Sequence, residues 1–204
     1  MIERLQHITQ SGIADLDHLQ QIEAVGKAGV KWTQLRMKEA TTDEFITVAI
    51  KAREITSRLG MTLIINDNIE VAKMCRADGV HLGQDDLPTA EARRILGDDI
   101  IIGRTCNTLK HIEALKNDKV NYIGLGPFRH TSTKKTLSPI LGLEGYSRLC
   151  PLAGNIPIIA IGGIKHSDIK DLRSVGVYGI AVASELNRSD NIQNACSNFL
   201  KKLI

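Results

Sequence analysis

Short apolar runs alternate with longer amphipathic stretches from end to end of this chain, and neither a Pro/Ser-rich linker nor a block of like charge interrupts them. The runs predict strands at Gln6–Thr9, Trp32–Met37, Thr62–Asn66, Gly79–Gly83, Ile100–Arg104, Tyr122–Gly126, Ile156–Ile161 and Gly179–Ala183. Between them, helices are predicted at Asp17–Ala28, Thr42–Leu59, Ile69–Arg76, Thr89–Leu96, Thr108–Asn117, Leu143–Cys150, Ser167–Val175 and Asn191–Lys202. In the second helix Phe45, Ile46, Ala49, Ile50, Ala52, Arg53 and Ile55 recur every three to four residues, with Thr42 placed to cap the first turn. Pro88 with Thr89, and Ser167 with Asp168, mark two further helix starts.

Eight strand–helix units predict an α/β chain, a single-domain (β/α)8 TIM barrel over residues 1–204. A doubly wound open sheet is the competing architecture, and the even spacing of the units favours closure. One segment, Pro127 to Gly142, has neither period and is too long for a plain connection, so it reads as a lid, its threonines and lysines suited to an anion.

Composition narrows the partners. The chain is 43% hydrophobic and 24% charged, and its net charge of +3 supplies no bulk attraction to nucleic acid or to an acidic membrane. Seven aromatic residues make a poor base-stacking surface. Cys75, Cys106, Cys150 and Cys196 form no Cys-x-x-Cys pair, which speaks against a zinc site or a disulfide framework and for free cytosolic thiols. The first residues carry no cationic segment followed by an apolar core, and no stretch approaches the length of a membrane span. The expectation is a soluble, cytoplasmic protein acting on small molecules, its oligomeric state left open.

The chemistry gathers at strand ends. Gln34, Arg36 and Lys38 are two apart, which aims all three to one face if the second strand runs to Met37. An edge strand with one face in water would read the same way; the functional reading is a cationic clamp for phosphates, Arg36 bidentate and Lys38 a point charge. Asn66-Asp67-Asn68 and Gln84-Asp85-Asp86 each follow a strand. Singly they are polar turns or helix caps; on adjacent barrel strands they put two carboxylates, Asp67 and Asp86, on the same face as the clamp, where hard oxygen ligands suit Mg²⁺ on a pyrophosphate. His81 reads as a packed core histidine. In the lid Thr131, Ser132, Thr133, Lys134 and Lys135 offer hydroxyls and ammonium groups, either solvated or contacting phosphate. Gly162-Gly163 after the seventh strand and Ala183-Ser184 after the eighth fall where such barrels bind phosphate.

In order along the chain, Gln34-Leu35-Arg36-Met37-Lys38, Ile65-Asn66-Asp67, His81 through Asp86, Gly126-Pro127 with Thr131 through Lys135, Ala160 through Ile164, and Val182-Ala183-Ser184 resemble the motifs of the thiamine phosphate synthases. That resemblance implies a barrel joining 4-amino-5-hydroxymethyl-2-methylpyrimidine pyrophosphate to 4-methyl-5-(2-hydroxyethyl)thiazole phosphate with Mg²⁺. It further implies that Gln34, Arg36, Lys38 and Asn66 hold the pyrimidine pyrophosphate and that Asp67 and Asp86 ligate the metal. Lys134 would meet the pyrophosphate, Thr131 and Thr133 the thiazole phosphate, and Gly163, Ala183 and Ser184 would complete that phosphate's cradle. Catalysis would fall to Arg36, Lys38 and Lys134 by stabilising the leaving group. Two stretches depart from the family pattern: in one, Thr105 stands for a serine, keeping a hydroxyl for the pyrimidine, and Asn107 for a frequent histidine; in the other, Gly126-Pro127-Phe128-Arg129-His130 replaces a more apolar approach to the lid. A thiazole tautomerase of the same fold would need that histidine for proton transfer, which an amide cannot supply. A sugar-phosphate isomerase would not need both the clamp and the carboxylates, and a non-catalytic sensor would bind without releasing pyrophosphate.

Overall fold

The computed structural model describes residues 2–13, 15–115, 118–130 and 139–204. Eight parallel strands close into a barrel in sequence order: β1 (Leu5–Ile8), β2 (Trp32–Leu35), β3 (Thr62–Asn66), β4 (Gly79–Leu82), β5 (Ile101–Cys106), β6 (Tyr122–Leu125), β7 (Ile158–Ala160) and β8 (Gly179–Val182). The ring closes where Leu5, Gln6 and His7 pair with Ile180, Ala181 and Val182. β2 pairs with both β1 and β3, so the edge-strand reading of this segment is wrong and the open sheet is excluded.

Alternation along each strand divides two apolar layers. Trp32, Ile64, Tyr122, Ile159 and Ala181 fill the barrel interior, while Leu35, Leu63, Ile65, Val80, Leu82, Ile102 and Leu125 belong to the larger core shared with the helices. Toward the carboxyl end the interior turns polar: Gln6, Gln34, Asn66, His81 and Thr105 are all buried there. These inward positions are polar because this end of the barrel is the floor of a cavity.

The helices are α1 (His18–Lys27), α2 (Thr42–Leu59), α3 (Ile69–Met74), α4 (Thr89–Leu96), α5 (Leu109–Ala114), α6 (Gly142–Leu149), α7 (Ile169–Ser174), α8 (Ser184–Asn187) and α9 (Ile192–Leu203). Thr41 rather than Thr42 caps α2: its hydroxyl accepts from Glu44 N–H at 3.3 Å, and the Glu44 carboxylate accepts from Thr41 N–H at 2.8 Å. Neither Pro88 nor Asp168 caps its helix through a side chain, and a 3-10 turn at His166–Asp168 precedes α7. Sequence periodicity missed α8, a single turn too short to show a period.

All four cysteines are free and buried. Burial pushes the thiols of Cys150 and Cys196 up to about 11 and that of Cys106 up to about 12. None of the described helices is long and apolar enough to cross a membrane.

Candidate active site

The loops after the strands surround a cavity of about 590 Å³ at the carboxyl end of the barrel, the catalytic end of this architecture. Gln34, Arg36, Lys38, Asn66, Asp67, Asp86, Thr105, Gly163, Ala183 and Ser184 all line it. These ten candidate residues are thus brought to one place. Lys134, Thr131 and Thr133 lie outside the described residues.

On one side, β2 ends at Leu35, earlier than expected, so Arg36 and Lys38 extend beyond the ladder and still reach the cavity. Arg36 N–H donates to Thr9 Oγ1 at 3.0 Å, fixing the backbone where the clamp leaves the sheet. Burial lowers the pKa of the Arg36 guanidinium and Asp67 opposes that shift; the group remains charged. The Lys38 ammonium donates to the Asp67 carboxylate.

Asp67 is in the left-handed region at φ 62°, which short polar side chains tolerate better than others. Its N–H donates to His81 O at 2.8 Å, binding the end of β3 to β4. Asp86 Oδ2 accepts from Gly83 N–H at 2.6 Å, folding the loop after β4 back toward β3. Burial and then the adjoining Asp67 carboxyl raise the Asp86 pKa, while the Gly83 N–H and Lys38 oppose the rise. Two carboxylates packed this closely repel one another unless a proton or a cation lies between them.

Across the cavity, Gly163 sits at φ 67°, and a Cβ there would lie 2.6 Å from Arg129 Cγ. Arg129 accounts for that crowding. Its Nη1 donates to Gly163 O at 2.6 Å, and its two terminal nitrogens meet Asp168 Oδ2 and Oδ1 at 2.5 and 2.8 Å, locking the loop after β6 to the loop after β7. Burial would raise the Asp168 carboxyl, but Arg129 and the Lys165 N–H outweigh it and hold the group below its ordinary value. Ser184 begins α8, and its hydroxyl donates to Gln10 Oε1 at 3.1 Å. A short extra helix after the eighth strand, beside a glycine loop after the seventh, is the recurrent phosphate site of these barrels. Lys165 and Arg188, not singled out from sequence, also line this end.

The family profile described as thiamine monophosphate synthase matches residues 5–186. The chain belongs to that family. It is 41% identical to a thiamine-phosphate synthase of Flavobacterium psychrophilum over 100% of both chains. It is 38% identical to one of Caldicellulosiruptor saccharolyticus, over 91% of this chain and 82% of that one. Among solved structures, thiamine phosphate pyrophosphorylase from Pyrococcus furiosus superposes with a TM-score of 0.87 at 26% identity, covering 98% and 95% of the two chains. A 3-hexulose-6-phosphate synthase, at 12% identity and a TM-score of 0.71, shares the fold alone.

Seen as a thiamine monophosphate synthase family member, the chain carries several site features that its sequence concealed. Asn107 is buried, lines the cavity and donates through Nδ2 to Gly126 O, so the residue standing for a histidine braces β6. His81 also lines the cavity rather than lying wholly in the core, with both ring nitrogens in hydrogen bonds to Tyr122 and Thr105. Below α8, His7 Nε2 meets Asn187 Oδ1 at 2.8 Å and His7 Nδ1 meets Thr33 Oγ1 at 2.9 Å. Because Asn187 Nδ2 donates to Ile8 O, its Oδ1 is the acceptor, and His7 is the neutral Nε2–H tautomer. Burial keeps it neutral, its pKa lowered to about 4. No signal in the local sequence marked these contacts, since His7 and Asn187 are 180 positions apart.

Proposed function

We propose that this protein joins 4-amino-5-hydroxymethyl-2-methylpyrimidine pyrophosphate to 4-methyl-5-(2-hydroxyethyl)thiazole phosphate, giving thiamine phosphate and pyrophosphate, in a Mg²⁺-dependent reaction of the cytoplasm. It is a transferase. The observation that carries the reading is one cavity lined by Arg36 and Lys38 beside Asp67 and Asp86 and also by Gly163 and Ser184, which supports two anion sites, a clamp and a cradle.

The donor set beside the clamp fits Mg²⁺. Among the described residues no three His, Cys, Asp or Glu side chains cluster as an all-protein metal site. Mg²⁺ asks less, typically one or two carboxylates with substrate oxygens and water completing the shell. Asp67 and Asp86 supply two carboxylates whose mutual repulsion a cation relieves. Bound there, Mg²⁺ would offset charge on the departing pyrophosphate.

The chain's own residues do the rest. Arg36 and Lys38 bind and stabilise the leaving pyrophosphate, with Lys134 assigned to the same task by family resemblance. The C–O bond to pyrophosphate breaks with electron donation from the aminopyrimidine, and the thiazole nitrogen's lone pair forms the C–N bond. That nitrogen carries no proton to remove, so no general base is needed. Gln34, Asn66 and Thr105 orient the pyrimidine; Gly163, Ala183 and Ser184 hold the thiazole phosphate, with Thr131 and Thr133 assigned to the same task by family resemblance, and positioning does much of the work.

The direct test is to supply both substrates with Mg²⁺ and measure thiamine phosphate and pyrophosphate. Equal amounts of the two products, lost on chelation and restored by Mg²⁺, are expected; binding of both substrates without product ends the reading.

A further inference from the structure

Beneath the pyrimidine end of the cavity, polar side chains from five strands join in one line. Gln34 Nε2 on β2 donates to Gln6 Oε1 on β1 at 3.4 Å, and Gln6 Nε2 donates to Tyr122 Oη on β6 at 3.3 Å. Tyr122 Oη lies 2.9 Å from His81 Nδ1 on β4, and His81 Nε2 lies 2.9 Å from Thr105 Oγ1 on β5. Gln6, Gln34, His81 and Thr105 line the cavity, whereas Tyr122 is fully buried and joins the two halves from below. Two glycines make room for the junction. A Cβ at Gly103 would lie 2.1 Å from Tyr122 Cζ, and one at Gly124 would lie 2.8 Å from His81 Cε1.

We propose that Gln34, Gln6, Tyr122, His81 and Thr105 form one directional hydrogen-bond relay that sets which acceptor and which donor the cavity shows the pyrimidine ring, with Tyr122 and His81 as positioning residues. The inference deepens the function proposed above and rests on it for the ring's identity. Direction follows from proton counting. An amide nitrogen only donates, so the Tyr122 hydroxyl that accepts from Gln6 spends its single proton on His81 Nδ1. His81 is then the Nε2–H tautomer and donates to Thr105 Oγ1, which leaves the Thr105 proton for the ligand. At the other end Gln34 gives one of its two Nε2 protons to Gln6, and its carbonyl oxygen, which the relay does not use, is the acceptor it has to offer. An acceptor on β2 and a donor on β5 match a 4-aminopyrimidine, whose amino group donates and whose ring nitrogen accepts. The 4-oxo ring reverses both roles. Reversing the relay to suit it requires turning both amides and changing the His81 tautomer together.

The test uses the full chain and two readouts. In long-range ¹H–¹⁵N spectra of the substrate-free protein, with His81 assigned by its loss in His81→Gln, the ring should be the neutral Nε2–H tautomer; the Nδ1–H tautomer overturns the proposal whatever the variants do. Tyr122→Phe keeps the buried ring and removes the bridge. It should lower the ratio of kcat/KM for the aminopyrimidine pyrophosphate over its 4-oxo analogue by about tenfold, the scale of one buried hydrogen bond, while KM for the thiazole phosphate holds. An unchanged ratio overturns the proposal, including the case where Tyr122→Phe merely slows both substrates alike. Wild-type protein that turns over neither ring would remove the functional reading, and the tautomer would still decide the relay.

Discussion

Asp67 and Asp86 are chemically alike and differently constrained, and their substitutions should differ accordingly. Asp67→Asn suits the left-handed backbone and should leave the fold intact, whereas Asp67→Ala adds backbone strain of about 1 kcal/mol or more. Loss of the charge from Asp67 should lower kcat/KM on the order of 10²-fold or more, since metal stabilisation of a leaving anion is worth several kcal/mol; steady-state assay of Asp67→Asn at saturating Mg²⁺ checks this. Asp86→Asn should cut turnover similarly yet stabilise the metal-free protein at neutral pH. The sign follows from the raised pKa: the folded state holds this proton more tightly than the unfolded chain, so above that pKa the carboxylate opposes folding, and the opposition fades as pH falls through it. An amide has no such charge, and its oxygen can still accept from Gly83 N–H. Urea unfolding without metal at pH 7 should place the Asp86→Asn midpoint above wild type; a lower midpoint would contradict this account.

At the level of elements, the joint between β1 and α8 depends on a neutral histidine. His7 has a folded pKa of about 4 against 6.5 unfolded, so as pH falls through 6.5 the unfolded chain takes up a proton that the folded protein refuses. Stability from this group is complete above 6.5 and declines until about pH 4, by roughly 3 kcal/mol at 1.36 kcal/mol per unit. Denaturant midpoints of wild type against His7→Leu should converge across that window, because the variant lacks this titration. Asn187→Ala, which frees α8 from His7 and from Ile8 O, should raise KM for the thiazole phosphate several-fold and leave that for the pyrimidine pyrophosphate near wild type. How legible the sequence was also divides by element. Strand and helix alternation showed the eight units, and the spacing of Gln34, Arg36 and Lys38 picked out three side chains that all line the cavity even though the strand stops at Leu35. The relay and the α8 joint were illegible: they depend on strand register between residues such as His81 and Tyr122, 41 positions apart, and short-range periodicity holds no information on which interior side chains face one another.

For the whole molecule, closure and chemistry compete for the same interior volume. The barrel fills its amino-terminal half with Trp32, Ile64, Tyr122 and Ile159 and gives the other half to polar groups around the cavity. Glycines on β5 and β6 make that division possible. Gly103→Ala puts a methyl group inside the Tyr122 ring and should cost at least the roughly 1–3 kcal/mol of ordinary overpacking; thermal unfolding checks the loss. Tyr122→Leu in the same chain should recover part of that stability while leaving the relay broken, so stability and ring discrimination would separate.

The four cysteines offer a practical handle. Each is buried, and burial keeps each thiol above its usual range and thus protonated at neutral pH, the form that neither alkylates nor oxidises readily. A Cys introduced at exposed His130, next to the segment that bears Lys134, would then be the single fast-reacting sulfhydryl in the folded chain. A maleimide dye should attach there at one equivalent without removal of any native cysteine, giving a fluorescence reporter of substrate arrival at the mouth of the barrel.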